Sequence, residues 1–316
     1  MTTVQLEYII ALDTYRSFVL AAEKTFVTQP TLSMQVQKLE DELGVKLFDR
    51  SKLPIVPTQI GAVVIEQARV ALRESNRIPE IIADYQQEVR GTLRVGIIPT
   101  LAPYLLPTLV AGFTTRYPQV ILEIWEYPTE VISGHLKKEQ LDCGILATPL
   151  HDKHLSETPL FYESFVVYAS QEHELFKKKV LTPEDLPHTG IWLINEGHCM
   201  RNQVLNICSR RTNSRAVKNL EYNTGSVETL KRMVEINRGW TILPELSVGG
   251  LSSAQLDMIR FFRSPEPVRE ISLVTHRHFV KAGLTEALCK EILLEIPQKM
   301  KAKSQKQVME IYHGGN

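Results

Sequence analysis

The chain has 316 residues, 43% of them apolar and 23% charged, with 36 basic residues balanced by 36 acidic ones. That length suits about two or three domains with real cores, and the composition excludes a disordered or low-complexity protein. Zero net charge gives no overall pull toward nucleic acid, and four irregularly spaced cysteines read as free thiols or a redox device rather than a disulfide scaffold.

In chain order, Met1-Thr2-Thr3-Val4-Gln5-Leu6-Glu7 lacks the basic stretch and cleavable apolar core of an export signal, so a cytoplasmic protein is expected. The longest apolar runs, 95–98 and 191–194, are far too short to span a bilayer. Ser17 precedes Phe18-Val19-Leu20-Ala21-Ala22-Glu23, and the apolar positions 18, 21, 22 and 26 have helical spacing. Thr28 then stands as an N-cap before Gln29-Pro30, proline being suited to a helix's first turn. Leu32, Val36, Leu39 and Leu43 follow at i, i+4, i+7 and i+11, which predicts a helix with one buried face, ended by Gly44. The opposite arc carries Pro30, Ser33, Met34, Gln37 and Lys38. Two short helices, a tight turn and a small polar outer face make either an ordinary three-helix cap or a helix-turn-helix that enters a major groove. In the second reading Ser33 and Gln37 reach base edges, while Arg50, Ser51, Lys52 and Thr58 hold phosphates. Charge does not decide between them, since residues 1–60 hold six basic against seven acidic side chains.

Residues 59–89 read as one long helix capped by Thr58. Val64, Ala68, Ala71, Ser75, Ile78, Ile82 and Tyr85 are spaced alternately four and three apart, a seam for pairing with a second helix or for packing on its own domain. Pro79 lies inside that seam and predicts a kink or break at 75–79. From Thr92, apolar runs at 93–98, 120–125, 141–146 and 190–194 alternate with helical patterns at 101–116, 129–138 and about 199–208. A strand near 217–222, a helix at 226–236 and a strand at 240–243 follow. The alternation predicts βαβ units and a mostly parallel sheet. Irregular breaks near 150–165 and 264–268 predict two small α/β lobes, with a ligand crevice at the C-terminal ends of the strands. Lys299-x-Lys301-x-Lys303-x-x-Lys306 reads first as a solvated end, with contact to DNA or extension of a helix as the alternatives.

Asn195-Glu196-Gly197-His198-Cys199-Met200-Arg201 follows the run 190–194 and opens the next helix. A thiol at a helix start meets the positive end of the dipole, and His198 and Arg201 add positive charge, so a lowered pKa is predicted for Cys199. Thiolate is the species that attacks a peroxide oxygen. Cys208 stands nine residues on. If the segment between is helical, its α-carbon lies ~13.5 Å from that of Cys199, beyond the ~7 Å that a disulfide spans. Cys143 and Cys289 read as small buried apolar residues. No histidine or cysteine has metal-ligand spacing and no glycine-rich phosphate loop occurs, so neither a metal nor a cofactor is expected.

The motifs Phe18-x-x-Ala21-Ala22, Thr28-Gln29-Pro30-Thr31-Leu32-Ser33 and Lys38-Leu39-Glu40-x-x-Leu43-Gly44-Val45-x-Leu47-Phe48-x-Arg50 together resemble the winged helix-turn-helix of the LysR-type transcriptional regulators. The resemblance covers about residues 1–297. It implies an α-helical winged helix-turn-helix joined to an α/β two-lobed regulatory domain like the periplasmic binding proteins. The implied layout is a DNA-binding domain at 1–58, a linker and dimerisation helix at 59–89, and a redox-sensing regulatory domain at 90–300. Within the last, lobe I takes about 90–163 and 267–297, lobe II about 164–266, and residues 301–316 form a tail. Gln29, Pro30, Thr31, Ser33, Met34, Gln37, Arg50 and Lys52 are the implied DNA contacts. The wing departs from the family pattern, with Leu53 where another arginine is usual and Lys52 beside it.

Gly197-His198-Cys199-Met200-Arg201-x-Gln203 with Cys208 is similar to the redox segment of the peroxide-sensing OxyR branch of that family. The similarity extends to Ile98-Pro99-Thr100-x-x-Pro103-Tyr104-Leu105-Leu106-Pro107, to Leu141-Asp142-Cys143-x-Ile145-Leu146-Ala147, to Ser226-x-Glu228-Thr229-Leu230 and to Gly239-x-Thr241-x-Leu243-Pro244. It implies Cys199 as the peroxidatic thiol and Cys208 as its resolving partner. Thr100 and Thr129 would hold peroxide and water, His198 would orient the peroxide, and Arg269 would stabilise the thiolate. The implied partners are double-stranded promoter DNA, hydrogen peroxide, further copies of the chain in a homodimer or homotetramer, and RNA polymerase, with no membrane. Two rival readings are a metabolite-responsive regulator of the same family with incidental cysteines and, from another class, a thiol peroxidase. The recognition module argues against an enzyme.

Overall fold

The computed structural model of the chain describes residues 1–85, 89–187, 189–195, 199–208, 225–277, 279, 281–303 and 306–311. The chain divides into two compact units, Met1–Ile82 and Ala83–Asn316. Among the described residues no helix is long and apolar enough to cross a membrane.

The first unit is built from locally capped helices. In α1 (Thr3–Tyr15), the Thr2 hydroxyl and the Gln5 side chain satisfy each other's backbone amides. Ser17 caps α2 (Phe18–Lys24) and Thr28 caps α3 (Gln29–Leu43), with Pro30 in the first turn and Gly44 leaving in the left-handed conformation, φ +69°. Leu32, Val36 and Leu39 are fully buried. Leu43, expected on the same stripe, is 38% exposed at the helix end, and Glu40 takes the buried place instead. The reason is the path of the next segment, whose Leu47 and Phe48 amides donate to the Glu40 carboxylate. Strands β1 (Phe48–Asp49) and β2 (Val56–Pro57) pair antiparallel as the wing. Helix α4 (Gln59–Tyr85) then begins against the wing, where a Cβ on Gly61 would lie 1.9 Å from the Leu47 carbonyl oxygen, so only glycine fits. The helix runs through Pro79. The break expected at 75–79 is absent, because the many other hydrogen bonds of so long a helix outweigh one missing amide.

The second unit is a mixed sheet flanked by helices. In chain order it comprises β3 (Gly91–Ile97), α5 (Ala102–Arg116), β4 (Val120–Glu126), α6 (Thr129–Lys137), β5 (Cys143–Thr148), β6 (Leu155–Ala169) and β7 (Val180–Leu181). There follow α7 (Cys199–Ile207), α8 (Val227–Asn237), β8 (Trp240–Pro244), α9 (Ser253–Leu256), β9 (Ile259–Phe262), β10 (Glu266–His276), α10 (Ala282–Glu295) and β11 (Lys306–Val308). The sheet order is β4-β3-β5-β10-β6-β9-β7, with β8 also on β6 and β11 also on β10. β3 is parallel to β4 and β5, but β10 runs antiparallel to β5 and β6, so the sheet is less parallel than the βαβ alternation predicts. Two cores result. One gathers Leu93, Ile97, Leu109, Phe113, Ile145 and Ile292, the other Val167, Trp192, Val204, Leu230 and Trp240. The first part of β6 pairs with β10, and its last residues, Phe165 to Ala169, pair with β8. One strand therefore serves both cores, and of the irregular break expected near 150–165 only residues 150–154 are irregular, the rest being continuous strand.

Two more expectations are corrected here. The run 190–194 forms a single bridge, Ile191 to Trp240, rather than a full strand. Among the described residues the tail is not wholly a solvated end: Lys299 and Lys303 are exposed as expected, but β11 lies parallel to Glu266–Val268 and Met309 and Ile311 are buried. The strand expected near 217–222 lies outside the described residues.

Candidate functional site

Cys199 is the first residue of α7, placed there by the 191–194 segment, which hydrogen-bonds to Trp240 through the Trp192 amide. Its thiol is in hydrogen-bond contact with the hydroxyl of Thr129, the buried first residue of α6. Thr100, in the turn after β3, is 2% exposed, and its hydroxyl accepts from Arg269 Nη1 at 2.8 Å. Arg269 Nη2 also reaches the Thr100 carbonyl at 3.2 Å. Thr129 with Cys199, and Thr100 with Arg269, thus form two contacting pairs, and the Arg269 charge acts on the Cys199 thiol. His198 lies outside the described residues.

The electrostatics overturn one expectation. Burial pushes the Cys199 thiol above its ordinary range, although the Thr129 hydroxyl, the residue's own backbone amide and Arg269 all pull the other way. The helix start is a local gain of modest size, whereas removal from water acts on the whole charge. The Arg201 guanidinium donates to the Ile194 carbonyl at 2.9 Å, in the segment that precedes the helix. Cys208 directly follows α7, its amide bonded to the Val204 carbonyl at 3.0 Å, and burial pushes its thiol up to about 12. Both cysteines are free thiols, as are buried Cys143 and half-buried Cys289. Among the described residues no cluster of acidic, histidine and cysteine side chains is arranged to hold a metal.

Sequence reasoning missed Glu163. It faces Arg269 across the β6–β10 ladder, and both side chains are fully buried. The other carboxylate oxygen of Glu163 accepts from the Leu246 amide at 2.8 Å, so one side chain ties the site's arginine to the chain beyond β8. The cross-strand register was the one signal available, and it needs the fold to be known first. A second link joins the cores: the Tyr104 hydroxyl of α5 donates to Glu228 of α8 at 2.7 Å, and Lys231 pairs with the same carboxylate. Partial burial, reinforced by that carboxylate, holds the Tyr104 phenol well above its usual range.

In the first unit, α3 presents exposed Gln29, Pro30 and Met34, with Thr31, Ser33 and Gln37 partly exposed beside them. Gln37 Nε2 donates to Asp41 at 2.6 Å. Glu40 accepts from Lys46 and Arg50, and Lys52 pairs with Asp49 at 3.6 Å, so the wing's cations are already paired within the chain. Thr58, expected among the phosphate holders, instead donates to the Lys46 carbonyl and accepts from the Gly61 amide as the cap of α4. Along the α4 seam Ala68 packs into the first unit's core, while Ala71, Ser75, Ile78 and Ile82 are exposed.

Comparison with known proteins adds to this geometry. The family described as "LysR substrate binding domain" matches residues 86–293, and "Bacterial regulatory helix-turn-helix protein, lysR family" matches residues 3–62. The chain is 36% identical over 271 residues to the hydrogen peroxide-inducible genes activator of Haemophilus influenzae, covering 85% of this chain and 88% of that one. It is 34% identical to the DNA-binding transcriptional dual regulator OxyR of Escherichia coli, covering 85% and 87%. Among solved structures, full-length OxyR from Pseudomonas aeruginosa is similar with a TM-score of 0.73 and 33% identity, over 93% of this chain and 98% of that one.

Proposed function

The chain belongs to the LysR family of transcription regulators, in its OxyR branch, and on that premise we propose that it senses hydrogen peroxide at Cys199 and reports it to promoter DNA through α3 and the wing. The observation that carries this reading is the Thr129 hydroxyl against the Cys199 thiol, with the charge of Arg269, itself bonded to Thr100, acting on the same thiol.

Cys199 gives up its proton, and its sulfur attacks one peroxide oxygen. The oxygen–oxygen bond breaks, the departing hydroxide takes up a proton and leaves as water, and Cys199 becomes a sulfenic acid. The Cys208 sulfur then attacks the Cys199 sulfur. A sulfur–sulfur bond forms, the sulfur–oxygen bond breaks, and the hydroxyl leaves with the Cys208 proton as a second water. Two thiols have supplied the two electrons that reduce the peroxide. Thr129 orients the attacking sulfur, and Thr100, whose oxygen already accepts from Arg269, keeps its hydroxyl proton for the peroxide. The resemblance assigns His198 to the same task. The two α-carbons begin ~13.5 Å apart along α7, so the bond requires the helix to unwind into a second packing, which makes it a two-state element.

On the DNA side, Ser33 and Gln37 would read bases while Gln29, Pro30, Thr31, Met34, Arg50 and Lys52 position the module. The exposed Ala71, Ser75, Ile78 and Ile82 support a homodimer through α4, and two such dimers make a homotetramer. The naming of relatives as activators supports RNA polymerase as a further partner. The reading is tested by adding peroxide to the reduced protein on DNA. Consumption of about one equivalent per chain, a Cys199–Cys208 bridge and a changed footprint are expected. Sustained turnover with a thiol reductant identifies an enzyme instead, and no consumption identifies a metabolite sensor.

A further inference from the structure

Three side chains of α7 hold the backbone at Met309, Glu310 and Ile311. Asn202 Nδ2 donates to the Ile311 carbonyl, Gln203 Nε2 to the Met309 carbonyl and Asn206 Nδ2 to the Glu310 carbonyl, each at 3.0 Å. Consecutive carbonyls thus each take one carboxamide from the helix that carries Cys199. Just before them, β11 pairs with β10 at Glu266–Val268, and the Met309 amide donates to the Val268 carbonyl at 2.8 Å, next to Arg269. Met309 shares the second core with Met200, Val204 and Ile207 of α7, while Ile311 enters the first core. Gln203 is fully buried, and its amide oxygen has no partner among the described residues, so its donor end is what the fold uses.

We propose that residues 306–311 are a redox-released strap, held on α7 in the dithiol state and freed when Cys199 and Cys208 bond. Asn202, Gln203 and Asn206 are its positioning residues, and they set how readily the disulfide forms. The proposal rests on the disulfide reading above. Positions 202, 203 and 206 fall on one side only while the segment is helical. Closing ~13.5 Å to ~7 Å removes that turn, scatters the three donors and withdraws the apolar side chains against which Met309 packs. Contacts made only in the helical state favour the dithiol. Weakening them therefore shifts the equilibrium toward the disulfide, and the release gives the oxidised protein a mobile segment and an uncovered β10 edge.

The test uses the full chain, in parent form and as Asn202→Ala/Asn206→Ala. The Cys199–Cys208 pair is equilibrated in thiol–disulfide buffers, its bond is mapped by mass spectrometry, and amide exchange is followed over 306–311. In the parent, exchange at these amides is expected to rise at least about ten-fold once the bond is present, as local protection is lost. The double variant is expected to exchange faster while still reduced and to favour the disulfide about ten-fold more, a potential about 30 mV more negative. A mapped bond with unchanged protection in the parent overturns the strap alone. An unmoved potential in the folded variant does so as well. If no bond forms in the parent, the disulfide reading and the strap fall together. The parent measurement stands even where the variant does not fold.

Discussion

Arg269 is held by Glu163, with Nε and Nη2 at 2.8 and 2.7 Å from one carboxylate oxygen, and neither side chain reaches solvent. Such a pair is expensive to break from one side, because the remaining ion stays buried without its counter-charge. Glu163→Ala is expected to lower the unfolding free energy by about 3–5 kcal/mol. Glu163→Gln costs less, since its carbonyl still accepts from the guanidinium. Urea unfolding of the reduced protein measures both. A change within ~0.5 kcal/mol for the alanine variant, the size of an ordinary surface substitution, would show the pair to be dispensable.

For Cys199 the expected pH behaviour follows from burial. The folded thiol titrates above its ordinary range, so the neutral form is the one the fold favours. Its contribution to stability is complete below the unfolded value, ~8.5, and is lost as pH rises through the higher folded value. Alkylation of the Cys199 peptide followed against pH should show a midpoint above ~8.5. In Thr129→Val the midpoint should move higher still, because the hydroxyl that favours the anion is gone. A midpoint below the free-cysteine value in the parent would mean that the helix start outweighs burial.

What could be read from the sequence divides along one line. Ser17, Thr28, Pro30 and Gly44 act through their own backbone neighbourhood, so α2 and α3 were visible without any tertiary information. β6 was not, because Glu157, Pro159 and Glu163 interrupt its alternation and its burial comes from two different cores. The tail failed for the same reason: just past its lysines, the Met309, Glu310 and Ile311 carbonyls gain their partners from α7, about a hundred positions earlier in the chain. Cys199 shows the contrast within one residue. The helix start that lowers a thiol pKa is local and legible, whereas the burial that overrides it belongs to the assembled unit.

Gln37 is expected to exchange partners on binding DNA. Its amide now donates to Asp41 one turn along α3, and reading a base edge requires that contact to open. Gln37→Ala should weaken binding to a site selected from random-sequence DNA by about 1–3 kcal/mol, with little effect on unselected DNA at the same salt. Equal losses on both would place Gln37 among phosphate-positioning contacts instead.

Cys208 decides between two ways of switching. It is fixed in the last turn beyond α7 by its amide bond to Val204 and is buried among apolar side chains. Its thiol, pushed up to about 12, is a poor nucleophile while that packing lasts. Attack on an oxidised Cys199 therefore has to follow, or accompany, the unwinding of α7. If the disulfide is what holds the unwound state, Cys208→Ser will still let peroxide oxidise Cys199, but α7 will return to its helical packing and the DNA footprint will stay that of the reduced protein. Serine adds a hydroxyl to an apolar site, at a cost of about 1–3 kcal/mol, so Cys208→Ala, which keeps the site apolar, serves as the companion variant. Both should give the reduced footprint after peroxide, with a sulfenic acid trapped at Cys199. A parent-like shift in either would mean that the modified Cys199 alone repacks the helix. The sensor would then survive, and Cys208 would be only a buried side chain.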